Sequence, residues 1–197
     1  MKTVPADVRH VIFDYGGTLA DLVFPFTVFR RFSPTTTMGA GEIKPPHFLQ
    51  RHARKLAYPV AARLFRPFDG LHEVLSELRN RGYRLHVLSN NSSILPLQLE
   101  LIGTTDYFDT ISWSEEMGVE KPDPRIFAIA LERIGASAEE VVYIGDSVPA
   151  DVEGAMGAGI TPIHADHRKR RRDGPDLRVE SLFGLLDLLP PLAAPEQ

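Results

Sequence analysis

The chain has 197 residues, 43% of them apolar and 24% charged, the balance of one globular domain with room for a small insertion and a core that needs no metal or disulfide staple. No run of about 18 apolar residues occurs, which excludes a membrane-spanning helix. The absence of cysteine excludes disulfides, a thiolate nucleophile and sulfur-ligated zinc. The formal net charge of −4 argues against an obvious nucleic-acid binder, but it averages opposed regions. Residues 22–68 carry eight basic side chains against Glu42 alone, a local +7, whereas residues 100–160 carry thirteen acidic side chains against three basic ones, a local −10. Arg168, Lys169, Arg170, Arg171 and Arg172 form a third, wholly basic run. The opening residues lack the apolar segment and small-residue cleavage site of a secretory signal, so a cytoplasmic protein is expected.

In chain order, Val11-Ile12-Phe13 is a short apolar run ending at Asp14 and followed by Gly16-Gly17, which predicts a buried strand entering a tight turn. Leu71, Val74, Leu75 and Leu78 recur at helical spacing behind Asp69, a candidate N-cap, and Gly82 closes that helix. Leu85–Leu88 predicts a second strand ending at Ser89-Asn90, a less regular helix follows through Leu101, and Thr110–Trp113 predicts a third strand. Asp123-Pro124 marks a helix start, with Ile126, Phe127, Ala130, Leu131 and Ile134 on one face and Gly135 at a left-handed C-cap. Val141–Ile144 predicts a fourth strand leading into Gly145-Asp146, then a helix from about Ala150 to Gly157, a fifth strand over Ile160–His164, and an amphipathic helix near Leu182–Leu189. Strands alternating with helices predict an α/β, doubly wound parallel sheet with right-handed crossovers. Residues 22–68 break that alternation, with Pro25, Pro34 and Pro45-Pro46 and then a basic helix-like segment from about His47 to Leu64. They read as an insertion after the first strand. The core then comprises 1–21 and 69–190, with a frayed tail over 191–197. Phe24, Phe26, Phe29 and Phe32 read as packing within the insertion.

In a parallel sheet the carboxyl ends of all strands share one edge, where ligands bind. That places Asp14, Ser89 and Asp146 near one another, with Lys121 before the helix that follows the third strand. Carboxylates so close repel and raise each other's pKa unless a cation lies between them, and an oxygen-only donor set of this kind selects Mg²⁺.

Asp14-Tyr15-Gly16-Gly17-Thr18-Leu19, Leu88-Ser89-Asn90, Lys121-Pro122 and Gly145-Asp146-Ser147 with Asp151 resemble, in order, the four motifs of the haloacid dehalogenase-like (HAD) hydrolase superfamily. The resemblance covers roughly 150 residues and implies a HAD-like Rossmannoid core of subfamily I, with the insertion as a reduced helical cap. It implies Asp14 as a nucleophile that forms an aspartyl-phosphate, Ser89 and Asn90 at the transferring phosphoryl group, and Lys121 offsetting the charge of Asp14 and phosphate. It also implies Mg²⁺ at Asp14, the Gly16 carbonyl and Asp146, with Asp151 supporting the metal's waters. The expected partner is a small, anionic, phosphorylated metabolite, with neither nucleic acid nor membrane; oligomeric state leaves no mark in the sequence.

The phosphatases of this superfamily carry a second Asp, the general acid/base, two residues after the nucleophile; here that residue is Gly16. Such catalysis is worth about 10²–10⁴-fold. Three readings stay open: a substrate with a good leaving group, a replacement acid from the cap or from Asp21, or slow or absent turnover. A 2-haloacid dehalogenase and a phosphate- or partner-binding protein without turnover are the alternatives to a phosphatase. The Arg168–Arg172 run reads first as a solvated loop. If it leaves the fifth strand over the carboxyl edge, it would help hold an anionic substrate tail.

Overall fold

The computed structural model describes residues 3–22, 64–169 and 176–193. The insertion's basic helix and phenylalanine set, Arg170–Arg172 and the last four residues lie outside the described residues.

Six strands form one parallel sheet in the order β5-β4-β1-β6-β7-β8: β1 His10–Phe13, β4 Arg84–Ser89, β5 Thr110–Trp113, β6 Val141–Gly145, β7 Thr161–Ala165 and β8 Arg178–Val179. β1 lies between β4 and β6, with Phe13 in register with Val87 on one side and Ile144 on the other. Strand order therefore reverses at β1, and the crevice beyond its carboxyl end is the place where this architecture binds ligands. A separate antiparallel ribbon pairs β2 (Ala20–Leu22) with β3 (Phe65–Pro67), so the two roots of the predicted insertion are hydrogen-bonded to each other.

Alternation along the strands divides the core between the two faces. Val11 and Phe13 point to one face, against α1 (Leu71–Asn80) through Leu71, Val74, Leu75 and Leu78. Ile12, Leu88 and Tyr143 point to the other, against Ile126, Phe127 and Ala130 of α4 (Pro124–Ile134) and Ala155 of α5 (Glu153–Gly157). Shorter helices α2 (Leu95–Leu101), α3 (Ser114–Met117) and α6 (Leu185–Leu188) complete the layers. No helix among the described residues is long and apolar enough to cross a membrane.

The expected caps of α4 are present: the Asp123 carboxylate accepts from the Arg125 N–H at 2.9 Å, and Gly135 ends the helix at φ 71°. The expected cap of α1 is not. Gly70, at φ 77°, holds the N-cap position instead of Asp69, and a Cβ on it would lie 2.4 Å from the Phe183 ring. A tertiary contact with the C-terminal segment thus sets where this helix starts. The helix expected from Ala150 begins earlier, as a π-helical turn over Val148–Val152 that leads into α5. β7 is shifted by one residue from its expected span, and β8 and the β2–β3 ribbon have no counterpart among the predicted strands.

Candidate active site

Asp14 is the first residue beyond β1, held there by its N–H donating to the Ile144 carbonyl at 2.8 Å. The chain then doubles back, the Tyr15 carbonyl accepting from the N–H groups of Leu19 at 3.0 Å and Ala20 at 3.1 Å. Two glycines let this turn and the end of β6 press against carboxylates. A Cβ on Gly17, which sits at φ 79°, would lie 2.2 Å from Asp146 Oδ2, and one on Gly145 would lie 2.3 Å from Asp151 Cγ. Gly16 differs: its backbone is not left-handed, and among the described residues beyond its chain neighbours no atom stands within 4 Å of where its Cβ would be. None of these residues requires glycine there.

Lys121 is the centre of a buried network. Its Nζ donates to Asp151 Oδ1 at 2.6 Å, Tyr143 Oη at 2.7 Å and Asp14 Oδ1 at 2.8 Å, with the Leu88 carbonyl at 3.4 Å. A carbonyl can only accept, so the Tyr143 hydroxyl donates to Leu88 O at 2.8 Å and offers its lone pair to the ammonium. Asp151 Oδ2 accepts from the Ser147 N–H at 2.9 Å. The Asn90 side chain clamps the Lys121 main chain, accepting from its N–H at 2.8 Å and donating to its carbonyl at 2.9 Å. Ser89 sits beside Asp14 and favours its charged form.

The electrostatics follow from this packing. Burial raises the Asp14 pKa above the ordinary carboxylate range, with Asp151 adding to the effect and Lys121 opposing it. Burial disfavours the Lys121 ammonium, yet its two carboxylate partners outweigh that and raise its pKa. Asp146 is pushed up to about 6, first by burial and then by the charges of Asp14 and Asp151.

Asp146 has no hydrogen-bond donor to its carboxylate among the described residues. Ligand atoms of Asp14, Asp146 and Asp151 lie within 4.8 Å of one another, so three carboxylates face one lysine. An all-oxygen donor set with excess negative charge fits a hard divalent cation such as Mg²⁺. Both Asp151 oxygens already accept hydrogen bonds, from Lys121 and from Ser147. The Asp146 carboxylate is the uncommitted member of the set.

A cavity of about 320 Å³ opens beside Asp146, between the turn after β6 and the loop after β7 that carries His167 and Arg168. Asp21, a candidate replacement acid on sequence, is engaged there instead. Arg168 grips its carboxylate with two prongs, Nη2 on Oδ1 and Nε 3.1 Å from Oδ2.

Every candidate site residue from the sequence thus lies at the carboxyl edge, and Asp14, Asn90, Lys121 and Asp151 are joined by hydrogen bonds. Tyr143 and His164 were missed. Tyr143 sits inside the apolar run of β6, where one aromatic looks like core. His164, whose Nε2 lies 3.2 Å from the Asp146 carbonyl, belongs to a strand whose register only the fold reveals.

The site can be set beside known proteins. A family profile described as haloacid dehalogenase-like hydrolase matches residues 26–165, a span that contains Ser89, Lys121, Asp146 and Asp151 and begins after Asp14. The chain is 32% identical over 150 residues to a glyceraldehyde 3-phosphate phosphatase of Methanopyrus kandleri, covering 72% of this chain and 62% of that protein. It is 39% identical over 114 residues to a phosphoserine phosphatase of Thermus thermophilus, covering 55% of this chain and 45% of that one. The match thus spans less than two thirds of the length of either relative. In fold, it is similar to a HAD phosphatase from Thermococcus onnurineus, with TM-score 0.72, 22% identity and coverage of 93% of this chain and 99% of that one. It is also similar to the HAD-hydrolase YfnB of Bacillus subtilis bound to magnesium, with TM-score 0.71, 21% identity and coverage of 92% and 98%. With the profile match spanning most of its length and its parallel sheet shared with these structures, the chain belongs to the haloacid dehalogenase-like hydrolase family.

Proposed function

We propose that the chain is a Mg²⁺-dependent phosphatase of a small phosphorylated metabolite, working through an aspartyl-phosphate on Asp14. The observation that carries this reading is the buried Asp14–Lys121–Asp151 network with the unpaired Asp146 carboxylate beside it. Two curated relatives named for phosphatases of small metabolites support the substrate class. The excess carboxylate argues against a metal-free dehalogenase.

Asp14 attacks phosphorus and the ester P–O bond breaks, leaving the phosphoryl group on the carboxylate while the alcohol departs as its oxyanion and takes a proton from solvent. Water then cleaves the aspartyl-phosphate, restoring Asp14 and releasing inorganic phosphate. Lys121 stays fixed throughout by Asp151 and Tyr143 and offsets charge on Asp14 and the phosphoryl oxygens, while Ser89 binds that group. Asn90, with its carboxamide spent on the Lys121 main chain, acts as a positioning residue. Asp14, the Gly16 carbonyl and Asp146 would hold Mg²⁺, which when bound offsets phosphoryl charge, and Asp151 would support the metal's waters. Residues 22–68, rooted in the β2–β3 ribbon, serve as a reduced basic lid.

Gly16 leaves the leaving group without a proton donor at that position, so substrates with good leaving groups are favoured. Phosphate release from aryl and sugar phosphates, with and without Mg²⁺, in wild type, Gly16→Asp and Asp14→Asn tests the reading. Mg²⁺-dependent release abolished by Asp14→Asn is expected. Inactivity on every phosphoester together with metal-free halide release from 2-haloacids would overturn it.

A further inference from the structure

The loop after β7 is anchored on both sides. His167 Nε2 lies 3.2 Å from the Thr18 carbonyl, and its ring centre lies 4.3 Å from that of Phe68, so the loop touches both roots of the insertion. On the other side, Lys169 pairs with Glu180 at 3.2 Å and Asp166 with Arg178 at 3.1 Å. Arg168 therefore stands on a braced turn. Asp21 occupies the Nε and Nη2 side of its guanidinium, while Nη1 has no partner among the described residues. The side chain is about one-third exposed, at 34%, and lines the same cavity as Asp146. The other acid lining it, Asp166, is neutralised by Arg178. A preoriented guanidinium with one free side suits an oxyanion, which it can meet with paired N–H donors. At about 320 Å³ the cavity has room for such an anionic group.

We propose that this cavity is a subsite for a second anionic group on the substrate, a carboxylate or a second phosphate on the leaving-group side, with Arg168 as its specificity-determining contact and Asp21 holding Arg168 in place. The assignment rests on the phosphatase reading for the position of the transferred phosphoryl group, at Asp14, Ser89 and Lys121. It adds that the substrate is anionic at both ends. Arg168 sits on the Asp146 side of the site and the phosphoryl contacts on the β4 side, so the two anions are held apart.

Two matched pairs of phosphoesters test this and separate the sources of the second anion: 3-phosphoglycerate against glycerol 3-phosphate, and fructose 1,6-bisphosphate against fructose 6-phosphate. Binding is measured by calorimetry with Mg²⁺ on the Asp14→Asn protein, with and without Arg168→Gln, and turnover is measured on proteins retaining Asp14. The doubly anionic member of at least one pair should bind about tenfold or more tighter, and Arg168→Gln should reduce that ratio to within about twofold. Asp21→Asn, which frees the guanidinium to swing, should erode the ratio in part. Equal affinities within both pairs, a ratio that survives Arg168→Gln, or no binding of any member would overturn the subsite. Absent turnover on every phosphoester, aryl phosphates included, together with metal-free halide release from 2-haloacids, with the binding ratio intact and lost in Arg168→Gln, would overturn the phosphatase reading and leave the subsite standing.

Discussion

The two sides of the carboxylate cluster are built on opposite principles. On the β4 side, Lys121, Asp14, Asp151 and Tyr143 are buried and share short hydrogen bonds. On the β7 side, Asp146 offers a carboxylate with no hydrogen-bond donor among the described residues to a cavity that the Arg168 guanidinium also lines. The paired side has no capacity to rearrange cheaply, because both carboxylates depend on one buried cation, and removing Lys121 would leave them facing each other uncompensated. The unpaired side carries the unmet electrostatic demand that a ligand can answer. Preorganisation and ligand binding are thus separated within a few ångströms.

The sharpest way to break the contrast is at the paired side. Asp14→Asn is expected to lower phosphate release by at least about 10³-fold, read by a phosphate-release assay, with folding retained. Lys121→Met leaves two buried carboxylates facing each other without their cation. It should cost about 3–5 kcal/mol of stability, measured by urea denaturation, as well as activity. Gly16→Asp sharpens the comparison from the other direction. The position is sterically open, so a carboxyl placed there should raise turnover of alkyl phosphates by about 10²–10⁴-fold and that of aryl phosphates much less. Equal gains on both would show that leaving-group protonation is not what Gly16 lacks.

At the unpaired side the effects are smaller. Gly17→Ala should push Asp146 aside and weaken Mg²⁺ binding by about 10–100-fold, by calorimetric titration. Mg²⁺ must displace a proton from Asp146 below its pKa of about 6. Affinity should therefore fall by up to tenfold per pH unit below 6 and level off above it.

The amino edge of the same sheet offers a control remote from both sides. There His10 Nδ1 lies 3.1 Å from His86 Nε2, and His86 Nδ1 lies 2.9 Å from Thr110 Oγ1. Burial, then His10, push His86 down to about 4, with Asp109 opposing and Arg84 assisting. The folded protein keeps His86 neutral while the unfolded chain takes up a proton below about 6.5. Stability from this group is therefore lost as pH falls from about 6.5 to 4, on the order of 3 kcal/mol. In metal-free protein Asp146 acts in the opposite sense, since its raised pKa favours the folded state as pH falls through 6. Comparing His86→Met with wild type at pH 7.5 and 4.5, with Mg²⁺ present, isolates the histidine; equal acid losses in the two proteins would refute it.

Much of this was legible in the chain. The apolar runs of β1, β4, β5 and β6 and the caps of α4 announced themselves because strand burial and helix ends impose local patterns. Once a parallel sheet was inferred, Asp14, Ser89, Lys121 and Asp146 followed, since parallel strands deliver their carboxyl ends to one edge. The site's finer wiring did not follow. That Tyr143 spends its hydroxyl on Lys121 and Leu88, that Asn90 clamps a main chain 31 residues away, and that Asp21 pairs with Arg168 are all long-range pairings. Gly70, not Asp69, holds the helix N-cap position, with the Phe183 ring packed where a side chain would stand. Sequence alone determined the fold class and which residues meet at the edge, because periodicity and chain direction are local properties. Only the tertiary structure decided which of those residues are already paired and which remain available, because pairing depends on distances between segments that the chain brings together only on folding.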